Sequence, residues 1–265
     1  MNPAELQAEQ EFLQSYDPNK YERPIGVTAD IVIFTITSEV LSGSTKCLPK
    51  RSLSVLLIKR NGHPEKGKWA LPGGFSSADE TLLETAQREL YEETGVDNIY
   101  LELLKLYDTP GRDKRGWILS AAHVALVNEQ YLANRKAADD ADDVQLFTIE
   151  EVAKLDLAFD HRQIITDAVT YIQKLMLQTT IAREFLPSKF TLAELLQVIQ
   201  TVVPSYQITK TNFIRKMLLT KKQPIVIPAQ NEFSTEFSQR PAQLYQFANS
   251  YVPHLSIYVD PSPKT

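Results

Sequence analysis

The stretch GGFSSADETLLETAQRELYEETGV, Gly73 to Val96, constrains this chain more than any other. It opens on two glycines, continues as a helical pattern, and sets Glu89, Glu92 and Glu93 close together before Gly95. At about 100° per residue the three glutamates fall within an arc of about 100°, so they share one helix face. Leu83, Ala86 and Leu90 form an apolar stripe on another face. Such a helix packs on one side and holds its acidic side fixed. Two readings of that acidic side follow: a solvated charge run, or ligands for a hard cation. Mg²⁺ prefers carboxylate oxygens and keeps several waters, which suits a site completed by substrate phosphates.

At 265 residues the chain exceeds the usual size of one domain, so two domains are expected. Its composition, 43% hydrophobic and 23% charged, is that of a soluble globular protein. No apolar run reaches the length of a membrane span, and the opening MNPAELQAEQEFLQSY is polar and acidic, unlike a secretory signal. A cytoplasmic location without a membrane partner is the expectation. The single cysteine, Cys47, excludes an internal disulfide framework and a multi-cysteine zinc site, and reads as an incidental thiol. The net charge of −5 is unevenly spread. Residues 1–180 carry 19 Lys and Arg against 28 Asp and Glu, a net −9, and residues 181–265 carry 9 against 5, a net +4. A basic C-terminal part is suited to a polyanion.

Strand-like runs occur at Val27 to Ile36, Ser54 to Arg60 and Ile118 to Val127, with helical patterns between the latter two and at Ile149 to Leu155. This mixture predicts an α/β (α+β) domain. His161 to Glu184 reads as a helix leading out of it, and LPSKF marks the helix end, placing a boundary near residue 185. There are no internal repeats, and the tail PSPKT is expected to be disordered.

From Gly74 the pattern runs Gly, five residues, Glu80, seven residues, Arg88-Glu89-Leu90, one residue, Glu92-Glu93, one residue, Gly95-Val96. This resembles the complete Nudix box of the Nudix hydrolase superfamily. The resemblance implies a loop–helix–loop on an α/β/α sandwich, and Mg²⁺ (or Mn²⁺) bound by Glu89, Glu93, Glu92 and the Gly74 carbonyl. It implies that Arg88 orients a glutamate by an ion pair, with these residues as the catalytic set, and that Glu80 is a supporting carboxylate. Glu84 lies outside the fixed pattern and is expected to be solvated.

The segment YDTPGRDKRGWILSAAH, Tyr107 to His123, places Arg112 and Arg115 at a tight turn before a strand, where guanidinium forks suit phosphates. Read without a ligand, both are surface arginines. The segment resembles the Arg-Asp-x-Arg-Gly signature of Nudix domains that recognise ADP-ribose, which makes Arg112 and Arg115 the candidate ligand-binding residues. Lys114 stands where those relatives usually carry proline, and Trp117 where many carry arginine. The acidic cluster AADDADDVQLF offers Asp139, Asp140, Asp142 or Asp143 as a general base or a solvated loop. In LAFDH, Leu157 to His161, the histidine is either a ligand neighbour or a capping or packing residue.

Phe190 to Val203 places Thr191 three residues before Glu194, a capping box opening a helix whose Leu192, Leu195, Leu196 and Ile199 form a core stripe. In the next segment, ITKTNFIRKMLLTKK, Ile208, Phe213, Met217 and Leu218 can pack inward while Thr211, Asn212, Arg215 and Lys216 point outward. Two β-like runs follow, PIVIP and AQLYQF. The order fits a winged helix-turn-helix, although a basic helix is also an ordinary soluble surface. NFIRK followed by RPAQLYQF is similar to the winged helix of Nudix-related transcriptional regulators of NAD metabolism, the NrtR type; Gln239 replaces the usual glycine before Arg240-Pro241. The similarity covers nearly the whole chain after about Pro18.

The expected organisation is a Nudix domain with a trailing linker helix over 21–180 and a winged helix over 186–260. The resemblance implies a homodimeric regulator that senses ADP-ribose or a related nucleotide and binds double-stranded operator DNA. Arg215, Lys216, Thr211 and Asn212 would lie at the DNA, with Lys210, Lys221, Lys222 and Arg240 on phosphates. The alternative is a Mg²⁺-dependent ADP-ribose pyrophosphatase with a C-terminal interaction domain.

Overall fold

The computed structural model describes residues 3–17, 19–20, 22–39, 46–95, 99–130, 132, 144–218 and 224–248. The chain opens with α1 (Pro3–Ser15), which buries none of its side chains. Then come β1 (Gly26–Glu39), β2 (Lys50–Lys59), β3 (Trp69–Ala70), β4 (Gly73–Phe75), α2 (Leu82–Thr94), β5 (Tyr100–Tyr107), β6 (Ile118–Leu126) and β7 (Val144–Thr148). The helices α3 (Ile149–Val152) and α4 (His161–Gln178) and a 3₁₀ turn (Ile181–Phe185) lead to α5 (Leu192–Val202), α6 (Lys210–Leu218), β8 (Val226–Ser234) and β9 (Ala242–Phe247).

β1 explains the architecture. Its residues alternate between two buried faces: Ala29, Ile31 and Ile33 face one apolar cluster with Ala86 and Leu90 of α2, and Val32, Phe34 and Ile36 face another with Ile164, Ala168 and Ile172 of α4. A strand buried on both sides makes the sheet the middle layer of an α/β/α sandwich, and the α/β expectation holds. The sheet has seven strands in the order β3-β2-β1-β6-β5, with β4 also paired to β1 and β7 to β2. β1 and β6 run parallel and the other pairs antiparallel. The strand runs read from sequence are present, but β3, β4, β5 and β7 were not among them. Leu101, Leu103 and Leu106 of β5 have polar or exposed neighbours on an edge strand, so no clean alternation marks it.

The expected helix from His161 to Glu184 stops earlier, at Gln178. Thr179 turns to extended backbone, its hydroxyl donates to Leu175 O at 2.8 Å, and its oxygen accepts from Ile181 N at 3.2 Å. A threonine that offers the backbone these bonds ends a helix. Beyond the turn, Thr191 and Glu194 form the expected capping box, and Leu195, Val198 and Ile199 of α5 and Phe213 and Met217 of α6 are buried. Phe190 pairs with Tyr245 through two backbone hydrogen bonds of 2.9 and 2.7 Å, an isolated bridge beside the two-stranded β8–β9 wing. β8 runs on to Ser234, past the PIVIP run, because Gln243 bridges a register shift by donating to Ala229 O at 2.6 Å and Glu232 O at 3.0 Å.

One apolar cluster runs from β1 through α4 and the 3₁₀ turn into α5, α6 and β8. The seam also holds Gln197 Nε2 donating to Pro49 O at 2.6 Å and Gln173 Nε2 donating to Val202 O at 3.1 Å. Among the described residues no helix is long and apolar enough to cross a membrane. Val96, the aspartates at 139, 140, 142 and 143, Lys221, Lys222, positions 249–260 and the PSPKT tail lie outside the described residues.

Candidate ligand and DNA sites

α2 is held at both ends. The Thr81 side chain accepts from Glu84 N at 3.2 Å, and Glu84 Oε2 accepts from Thr81 N at 2.8 Å, so Glu84, exposed as expected, also caps the helix. Donation from the Thr81 N–H, and from the Thr81 hydroxyl at 2.8 Å, holds the Glu84 carboxyl below the usual range. Gly95, at φ 67°, closes the other end with its N–H on Tyr91 O at 2.7 Å, a conformation that favours glycine. Ala86 and Leu90 are buried as expected, but Leu83 is exposed, and the inward turn is completed by buried Thr85. A threonine is accommodated there because its hydroxyl donates to Glu80 Oε2 at 2.8 Å.

Arg88 organises the acidic face. Its Nε donates to Glu80 Oε1 at 3.0 Å, its Nη1 to Glu89 Oε1 at 2.6 Å, and its Nη2 to Phe75 O at 3.3 Å, with Glu92 Oε2 3.5 Å from Nη1. Hydrogen bonds from Arg88 and Thr85 hold the Glu80 carboxyl down to about 2. Glu80 therefore anchors the arginine and the arginine orients Glu89. The Glu89 side chain is 13% exposed and Glu92 55%. The Glu89 carboxylate lies directly against Gly74, where an added Cβ would fall on it, so a side chain at 74 is incompatible with this placement. The donor types, three carboxylates and a carbonyl, fit a hard divalent cation. Among the described residues no group of three or more His, Cys, Asp or Glu is gathered closely enough to hold a metal ion.

The two arginines of the Tyr107–His123 segment differ. Arg112 is 5% exposed and spends its fork on Asp160, with Asp30 Oδ2 at 3.6 Å. It forms an internal latch rather than an open phosphate clamp. Arg115 pairs with Asp113 at 2.7 Å, remains 37% exposed, and lies over the rings of Phe75 and Phe159 at 5.1 and 5.8 Å. Arg60 covers Phe159 at 4.9 Å, so that ring contacts two guanidinium groups. His161 is buried: its Nδ1 accepts from Leu71 N at 2.9 Å, and its Nε2 lies 3.9 Å from Asp30. Burial holds its pKa below the ordinary value. Asp30 in turn accepts from Ser120 Oγ at 2.5 Å.

Sequence reasoning missed Arg60, Asp30, Asp113 and Phe159. Asp30 had a signal, as a lone carboxylate inside an apolar strand. Phe159 had none, since its positive φ of 50° is visible only in the backbone.

In the C-terminal part Lys210, Thr211, Asn212 and Arg215 are exposed on α6 and Lys216 is half-buried, opposite buried Phe213 and Met217. Arg240 is exposed in the turn between β8 and β9. An exposed basic helix beside a two-stranded wing has the form of a groove-reading module.

Comparison with known proteins gives two family matches along the chain. Residues 45–168 match the NUDIX domain family, and residues 182–247 match the NrtR DNA-binding winged helix domain. A protein of Acinetobacter baylyi named an ADPR responsive transcriptional repressor, NtrR, is 32% identical over 243 residues, covering 91% of this chain and 89% of the relative. Shewanella oneidensis NrtR complexed with a 27mer DNA is similar in structure at TM-score 0.68 and 31% identity, over 84% of this chain and 93% of that one. Shewanella oneidensis NrtR crystallised without a named ligand gives TM-score 0.69 at 29% identity, over 86% and 99% of the two chains. With its box-bearing sandwich joined to this winged helix, the chain belongs to the NrtR family of Nudix-related transcriptional regulators.

Proposed function

We propose that this chain is an ADP-ribose-responsive transcriptional repressor: a Nudix domain over 21–180 binds ADP-ribose, and a winged helix over 186–260 binds operator DNA as part of a homodimer. The observation that carries the reading is the union of the two domains through one continuous apolar cluster, from β1 to α6. A ligand that favours one placement of the sandwich relative to α5 is thereby linked to the DNA-reading helix, provided its affinity differs between the two states. Near-full-length similarity to an ADP-ribose-responsive repressor supports it.

In the Nudix domain, Glu89, Glu92, Glu93 and the Gly74 carbonyl would hold a divalent cation, Mg²⁺ or Mn²⁺. When bound, that ion would neutralise the pyrophosphate of the ligand. Arg88 keeps Glu89 in place, and Arg115, with its open face, is the better placed of the two signature arginines for phosphate or ribose. Arg112 acts through Asp160, fixing the segment that carries Phe159 and His161.

On the DNA side, Arg215 with Thr211, Asn212 and Lys216 reads the groove. Lys210, Lys221, Lys222 and Arg240 neutralise phosphates, and a two-fold dimer matches paired half-sites.

Titrating a palindromic operator at fixed salt with and without ADP-ribose tests this function. A shift in affinity of about five- to 150-fold is expected for an allosteric coupling; an unchanged affinity overturns the sensor. A second reading, hydrolysis of the same ligand, is favoured by the complete box with Arg88 seated on Glu89. Release of AMP and ribose 5-phosphate from ADP-ribose and Mg²⁺, abolished by Glu89→Gln and Glu93→Gln, establishes it.

A further inference from the structure

Arg60, half-buried at the end of β2, makes no ion pair among the described residues. Its Nε donates to Pro64 O at 3.0 Å, which fixes the plane of the guanidinium. Its Nη1 and Nη2 meet no acceptor among the described residues, and neither is enclosed. The carboxylates around it are committed elsewhere. Asp113 takes Nε and Nη2 of Arg115, Asp30 accepts from Ser120 and faces Arg112 at 3.6 Å, and Glu65 holds Lys114 and Lys68 at 2.5 and 2.7 Å.

A second guanidinium stands beside it. The guanidinium carbons of Arg60 and Arg115 lie 4.9 and 5.8 Å from the centre of the same ring, Phe159. With two of its nitrogens on Asp113, Arg115 keeps Nη1 without an acceptor among the described residues. Burial and the neighbouring Arg115 charge both hold Arg60 below its ordinary pKa. The ring between them is fixed from both sides, by Ala158 N donating to Trp69 O at 2.9 Å and by the Arg112–Asp160 pair. Arg115 also lies 5.1 Å from the centre of the Phe75 ring, and Phe75 follows Gly74 and gives its carbonyl to Arg88. The two guanidinium groups therefore continue the row of side chains that starts at the box.

Such a pair selects its ligand by charge. A cation is repelled, and a neutral group leaves the repulsion between the two guanidinium groups in place. An anion relieves it. A planar carboxylate fills one guanidinium fork, whereas phosphate presents oxygens in several directions and can face two forks at once. We propose that Arg60 and Arg115 together bind the pyrophosphate of the nucleotide beside Phe159 and Phe75, which makes Arg60 a ligand-binding residue of the Nudix cleft. The proposal rests on the reading of that cleft as a nucleotide site. Arg60 takes the part in the grip that the sequence pattern gave to Arg112, whose fork is spent on Asp160.

Arg60→Met keeps a long side chain over Phe159 and removes the charge. It should weaken ADP-ribose at least about tenfold in calorimetric titration of the full chain. Arg60→Lys, which keeps the charge without the fork, should bind between the wild type and Arg60→Met. Added salt should weaken ADP-ribose less in Arg60→Met than in the wild type, a change that a packing role would not produce. Unchanged affinity in Arg60→Met overturns the proposal, as does Arg60→Lys binding no tighter than Arg60→Met, or an unaltered salt dependence. Thermal unfolding checks that each variant is folded; if Arg60→Met is not, Arg60→Lys decides, and affinity equal to the wild type overturns the fork. Inorganic pyrophosphate, titrated in EDTA into the same samples, keeps this test apart from the sensor reading. If the wild-type chain takes up no ADP-ribose, the sensor fails and the pair is judged on pyrophosphate: binding weakened by Arg60→Met upholds it, and no binding, or binding that the substitution leaves unchanged, overturns it.

Discussion

Arg112 and Asp160, far apart in sequence, are joined by two hydrogen bonds, Nε to Oδ2 at 2.9 Å and Nη2 to Oδ1 at 2.7 Å. This bidentate pair ties the turn before β6 to the N-terminus of α4. The Arg112 side chain is almost wholly enclosed, at 5% exposure, with Asp30 as a second carboxylate nearby. Removing one partner of such a pair leaves a buried charge unmet, which costs about 3–5 kcal/mol. Arg112→Ala should therefore lower the unfolding free energy by about 3 kcal/mol. Arg115→Ala, at a half-open site, should cost less than about 1 kcal/mol while weakening ADP-ribose. Urea unfolding and ligand titration of the two variants separate the latch from the ligand contact.

Gly74 lies against the Glu89 carboxylate so closely that no side chain fits between them. Gly74→Ala should displace Glu89 from Arg88 and weaken Mg²⁺-dependent ADP-ribose binding on the order of ten- to a hundredfold. The sheet pairing of β4 with β1 should survive. Calorimetric titration beside far-UV circular dichroism checks both halves.

His161 and His123 are held neutral chiefly by burial, with folded pKa values below the ordinary one. The unfolded chain takes up these protons near pH 6.5, while the folded chain resists them. Stability is thus complete above about pH 6.5 and declines as pH falls below it, toward the folded values. His123→Gln should flatten that decline. Urea midpoints measured at intervals between about pH 7.5 and 5 give the slope directly.

Arg215 stands exposed on α6 with Phe213 and Met217 buried behind it. Arg215→Ala should weaken operator binding by about 1–3 kcal/mol and relax sequence preference. Lys210→Ala should weaken all DNA about equally and reduce the salt slope by about one. Neither should alter ADP-ribose affinity, because α6 carries no residue of the Nudix site. Fluorescence anisotropy at several salt concentrations distinguishes the two effects.

Much of this protein is legible along the chain because its signals are local. The three glutamates of the box sit within one helix, so spacing alone aligned Glu89, Glu92 and Glu93. The Thr191–Glu194 cap and the buried Phe213 and Met217 were readable for the same reason, since a cap or a helix stripe involves neighbours three or four residues apart. Even so, local reading misjudged Leu83, which the helix leaves exposed, and did not assign exposed Glu84 its part in the cap.

The sequence by itself determined two units, an acidic box on one helix and a basic helix followed by a wing, because each is encoded by periodicity within a short segment. Only the tertiary structure decided that Arg112 serves Asp160 and not solvent, that Arg60 and Arg115 share the ring of Phe159, and that Gln197 reaches Pro49 across the domain seam. Those relationships join residues separated by tens to more than a hundred positions. Burial and pairing of a charged side chain depend on which distant segment folds against it, and no local pattern carries that information.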